Sequence, residues 1–70
     1  MARLSVQQKL GKKIKEYRVR LDVTQEKLGE TTGLDRTYIS GVERGVRNPS
    51  LRNIEKIAKA LKVKVSDLLQ

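Results

Sequence analysis

Between Thr24 and Gly45 the chain is punctuated so closely that only short helices fit between its stops. Thr24 is a good N-cap for a helix from Gln25 to about Thr32, with Glu26 near its positive end. Gly33 stops that helix, because glycine enters the left-handed backbone region at no steric cost. Asp35 is the next N-cap, and another short helix runs from Arg36 to about Arg44 before Gly45 ends it. The two helices are thus joined by a tight turn at Gly33. Gly29, one helical turn earlier, has no side chain to hold their axes apart, and Leu28, Leu34, Ile39 and Val42 supply the apolar contacts that fix their angle.

The flanking segments are helical as well. Val6, Leu10, Ile14, Tyr17 and Leu21 recur in steps of three and four, one stripe of an amphipathic helix surrounded by Lys9, Lys12, Lys13, Lys15, Arg18 and Arg20. Asp22 follows, a residue that tolerates the left-handed conformation better than most. Asn48-Pro49-Ser50 is a turn feeding a fourth helix, with apolar positions Leu51, Ile54, Ile57, Ala58 and Leu61. Ser66 is placed to cap a final short turn bearing Leu68 and Leu69. No segment alternates with period two, so the expected fold is all-α: five helices in one domain over residues 1–70. A domain of this length buries only about 60% of its unfolded surface. With no Phe, no Trp and two Tyr, its core is aliphatic and thin. The fourth helix and the chain end carry more apolar residues than such a core needs. Val63, Val65, Leu68 and Leu69 are therefore expected to form a homodimer interface.

Charge and composition narrow the function. Sixteen Lys and Arg against eight acids give a formal charge of +8, which attracts polyanions, nucleic acid first. Without Cys or His there are no disulfides, no usual zinc ligand sets and no histidine base, so neither a metal nor a cofactor is expected. A phosphate-cradling glycine loop and paired catalytic acids are also missing, which argues against an enzyme. No apolar run is long enough for a membrane span, and Met1-Ala2-Arg3-Leu4 lacks the hydrophobic stretch of a signal peptide. A cytoplasmic location is the simple expectation.

The outward face of the third helix is polar, carrying Arg36, Thr37, Ser40 and Arg44. On a basic domain such a face fits a DNA major groove about 12 Å wide. The run Thr24-Gln25-Glu26-Lys27-Leu28-Gly29 and the run from Gly33 to Gly45 resemble the phage-repressor/Cro helix-turn-helix family. So do Arg47-Asn48-Pro49-Ser50-Leu51 and Ile57-Ala58-Lys59-Ala60-Leu61, and the likeness covers residues 10 to 69. Within that family, the segment Leu34 to Gly41 with Arg47-Asn48 is most similar to restriction–modification controller proteins. The resemblance implies a compact lambda-repressor-like domain and a dimeric transcriptional regulator on an inverted-repeat operator. Double-stranded DNA is then the partner, with RNA polymerase a further one.

Arg36, in the first turn of the third helix, is the leading base reader, since an arginine there can take guanine O6 and N7 together. A phosphate contact or a solvated charge is its plainer alternative. Thr37 and Ser40 can touch bases by hydroxyl or methyl, and Arg47 can reach a groove edge. Arg44, Asn48 and Arg52 are expected on phosphates, with an ordinary solvated side chain the alternative for each, and Tyr38 either packs at the surface only or places its hydroxyl on a DNA phosphate or on the partner subunit. By resemblance, Gln25 takes a phosphate at its helix N-terminus, and Glu43 pairs with Arg18 across the first and third helices. Two positions depart from the family's pattern. Gly29 stands where Ala is usual, and Gly41 where a long polar reader such as Gln is frequent. Gly41 offers no side chain to a base, which leaves specificity to fewer residues. An antitoxin-like module that masks a protein partner is the competing function, since the same fold serves both.

Overall fold

At four of the five helix starts a side chain takes charge of an otherwise unpaired peptide group. In the computed structural model, which describes residues 3–70, these helices are α1 (Val6–Arg20), α2 (Gln25–Thr32), α3 (Arg36–Glu43), α4 (Leu51–Ala60) and α5 (Val65–Leu69). No strand occurs among the described residues, and Met1 and Ala2 of the chain start lie outside them. Thr24 Oγ1 accepts from Lys27 N at 3.0 Å and Ser50 Oγ from Asn53 N at 3.2 Å. Ser5 and Gln8 form a reciprocal capping box at the start of α1, a device the sequence reading passed over.

Two expected caps are corrected. Asp35 occupies the N-cap position of α3 but makes no side-chain capping bond. Ser66 lies inside α5, whose N-cap is Lys64; the Lys64 N–H is satisfied by the Asp67 carboxylate at 2.9 Å. The helix ends follow the glycines: Gly33 has φ 75° and Gly45 φ 77°. Asp22 and Lys62 adopt the same left-handed conformation with φ 57° and 61°.

The core gathers Leu10, Ile14, Leu28, Ile39, Val42, Ile54, Ile57, Ala58, Leu61 and Leu68. Helix α3 packs on both α1 and α2, α2 also meets α4, and α5 closes the domain against α1 and α4. Close approach is secured by glycine at two of these crossings. A Cβ on Gly11 would overlap the Val42 carbonyl and lie 2.5 Å from the Glu43 carbonyl oxygen, so α1 crosses the last turn of α3 nearly backbone to backbone. A Cβ on Gly29 would stand 2.7 Å from the Leu34 carbonyl oxygen, so the Ala usual there would force the turn to open slightly.

The apolar stripes overshoot the core they serve. Val6 and Leu51, first residues of their helices, are 77% and 64% exposed, and Leu21 at the end of α1 is also exposed. The assignment of Leu68 to a dimer face is corrected too. At 1% exposure it is a fully buried member of the monomer's own core, because α5 folds back onto α1. Val63 and Val65 are half-buried against that core, while Leu69 is 53% exposed. Among the described residues no helix is long and apolar enough to cross a membrane.

Candidate nucleic-acid interface

Helix α3 has an inner side that is locked and an outer side that is open. On the inner side Glu43 is buried, with both carboxylate oxygens engaged. Arg18 donates from Nε to Oε2 at 2.6 Å and from Nη2 to Oε1 at 3.1 Å, the forked geometry that makes arginine–carboxylate pairs directional. The third guanidinium nitrogen, Nη1, donates to the Val23 carbonyl at 2.8 Å in the α1–α2 connection. Gln25 Nε2 donates to Glu43 Oε1 at 3.0 Å. One carboxylate therefore ties α1, α2 and the end of α3 together. Among the described residues no buried side-chain polar atom lacks a partner, and no cluster of acidic residues could hold a metal ion.

On the outer side, Gln25, Arg36, Thr37 and Ser40 line one shallow notch, so α2 and α3 present them together. Arg36 and Thr37 are exposed and Ser40 half-buried. Arg36 and Gln25 also border a second depression with Arg18, Thr24 and Glu26, at the N-terminus of α2. Gln25 thus has one end on Glu43 and its helix N-terminus at the open surface, where backbone N–H groups favour an anion. Arg44 is exposed, and its Nε donates to the Ser40 carbonyl at 3.4 Å, lying back along the end of α3.

The α3–α4 connection completes this face. Tyr38 is half-buried; its hydroxyl accepts from Asn53 Nδ2 at 3.0 Å, leaving its own proton to donate. The Arg47 guanidinium stands over the Tyr38 ring, 5.7 Å from its centroid, within cation–π range. Asn48 and Arg52 are exposed at the turn into α4 and in its first turn. Asn53 was missed by the sequence reading. Its signal was its place one residue past Arg52 in a helical turn expected to meet DNA. Val63, Val65 and Leu69 belong to the α4–α5 end of the chain, away in sequence from this constellation.

A locked inner side, an outward polar face on the second of two glycine-jointed helices, and arginines along the next connection are what a helix-turn-helix domain consists of. The family model described as helix-turn-helix matches residues 14–68, and the chain belongs to that family. Several characterised regulators are similar to this chain. It is 53% identical over 60 residues to the control protein C.BamHI of Bacillus amyloliquefaciens, covering 84% of this chain and 74% of that one. The crystal structure of the restriction-modification controller protein C.AhdI from Aeromonas hydrophila matches with a TM-score of 0.85 and 46% identity, over 87% of this chain and 92% of the other. SinR, the master regulator for biofilm formation, solved in complex with DNA, matches with a TM-score of 0.83 and 35% identity, over 87% and 98% of the two chains.

Proposed function

We propose that this chain is a sequence-specific DNA-binding transcription regulator of the restriction–modification controller kind, acting as a dimer on an inverted-repeat operator. The observation that carries this is the notch where Gln25, Arg36, Thr37 and Ser40 meet, backed by the buried Arg18–Glu43 pair. Such a rigid backing matters because a base-reading fork must arrive within a fraction of an ångström of its acceptors to be worth its desolvation. Arg36 supplies the fork; Thr37 and Ser40 supply short contacts beside it. Arg44, Asn48, Arg52 and the N-terminus of α2 hold phosphates, and these fix the register of the domain on the duplex. The net charge of +8 adds the long-range attraction.

Two copies are needed for two half-sites, and their α3 helices must face successive major grooves about 34–36 Å apart. The exposed Leu69, with half-buried Val63 and Val65 beside it in the chain, is the surface we assign to the second copy. The protein acts on DNA in the cytoplasm and catalyses no reaction.

Enrichment from random duplex DNA at about 150 mM salt, where sequence-blind binding is already weak, tests this function. An enriched inverted repeat whose preference relaxes at one base of each half-site in Arg36→Ala supports it. The loss expected is about 1–3 kcal/mol of discrimination at that base. Weak binding with no enriched sequence would sink the operator model and point to a protein partner instead.

A further inference from the structure

Gly41 stands in the middle of the outward helix, and the space where its side chain would be is occupied. A Cβ there would lie 2.6 Å from Arg47 Cγ, 3.5 Å from Arg47 Cβ and 3.7 Å from Arg47 Cδ, so the arginine's aliphatic stem runs directly over the glycine. The same residue also anchors the backbone of the following connection. Its carbonyl accepts from Val46 N at 3.0 Å and from Arg47 N at 3.2 Å, which starts the Arg47 side chain beside the vacancy. At the far end the guanidinium rests over the Tyr38 ring, and Tyr38 is itself held by Asn53. Arg47 nonetheless remains exposed, with no carboxylate paired to it among the described residues.

An arginine loses much rotamer freedom when a complex forms, which ordinarily weakens binding. Here backbone, stem and head are each placed by a separate contact before DNA arrives. The contact with the ring uses no hydrogen bond, and among the described residues no ion pair engages the guanidinium, so its donors stay free for a forked bond to guanine. We infer that Gly41 determines specificity by being empty: it seats Arg47 across α3, so that a residue from the connection reads the base edge that a side chain at position 41 would otherwise meet. This inference rests on the DNA-binding function proposed above and adds to it the positioning residue and the base class, a guanine.

The test is a double-mutant cycle. The parent, Gly41→Ala, Arg47→Ala and the double variant are titrated onto the enriched operator and onto every single-base variant of one half-site. Gly41→Ala keeps its fold, since only a flexible side chain opposes the new methyl group; a thermal melt checks this. Arg47→Ala is expected to lose roughly tenfold or more preference for guanine at one base pair. Gly41→Ala should relax that same base pair and no other, and the double variant should be no worse than Arg47→Ala alone. In NMR spectra of the free protein, Arg47 side-chain protons shifted by the Tyr38 ring should move toward ordinary values in Gly41→Ala. Additive losses, or a Gly41→Ala that keeps the preference intact, would overturn the seat. If an operator is enriched and read through Arg36 while Arg47→Ala changes no preference, this inference fails and the proposed function stands. If no operator is enriched, both fail together.

Discussion

Gly11 and Gly41 are both buried helical glycines at contacts with another part of the chain, yet what fills their vacant side-chain positions is different in kind. Over Gly11 lies backbone: the Val42 and Glu43 carbonyls of α3, which are held by helical geometry and cannot step aside. Over Gly41 lies the stem of Arg47, which can swing away into solvent. The first glycine sets how closely two helices cross and so belongs to folding. The second leaves the fold unstrained and sets where a charged head group waits, so it belongs to recognition. A glycine's meaning is therefore given by the stiffness of its neighbour.

The contrast can be broken first on the folding side, where the expected effects are largest. Glu43 sits at the α1–α3 crossing that Gly11 creates, and Glu43→Ala would strand the largely buried Arg18 guanidinium. Removing one partner of such a pair costs about 3–5 kcal/mol. With about 4–8 °C of melting temperature lost per kcal/mol in a domain of this size, the variant should be largely unfolded or melt far below the parent. An unchanged thermal melt would show that the crossing does not depend on the pair. Gly11→Ala comes next. The methyl group has only backbone to push against, so α1 must lift from α3, at about 3 kcal/mol for overpacking of this sort. Its denaturation midpoint should fall well below the parent's; if it does not, the crossing is looser than the carbonyl distances imply.

These two glycines also mark where the sequence stops being informative. The turn glycines, Gly33 and Gly45, were legible because a helix stop demands positive φ, a local property that glycine alone meets without strain. Gly29 was legible through its spacing from Gly33. Gly11 was not, because its partner carbonyls are more than thirty residues away and no local pattern announces them. Gly41 was noticed only as a missing reader; that Arg47 fills the gap requires the tertiary path of the α3–α4 connection. Periodicity told which face of α1 and α4 is apolar but not where the core ends, hence the exposed Val6, Leu21 and Leu51. Counting apolar residues at the chain end could not divide them between the monomer and a second copy, and Leu68 went to the monomer. The Arg18–Glu43 pair entered only through family resemblance, since 25 residues separate its members.

The smallest expected effect is the most discriminating, because it asks the same substitution to do the opposite thing. Gly41→Ala adds the same methyl group as Gly11→Ala, also inside a helix. Here, however, the neighbour yields, and replacing a helical glycine by alanine is itself worth roughly 0.5–1 kcal/mol. The melt of Gly41→Ala should therefore stay level with the parent or rise by a few degrees, while Gly11→Ala falls. Displacing the Arg47 stem offsets part of that gain, since three methylenes lose their apolar contact. A drop as large as that of Gly11→Ala would mean that Arg47 is as immovable as backbone. The connection between α3 and α4 would then be part of the folding core, and the division between a glycine that builds and a glycine that reads would dissolve.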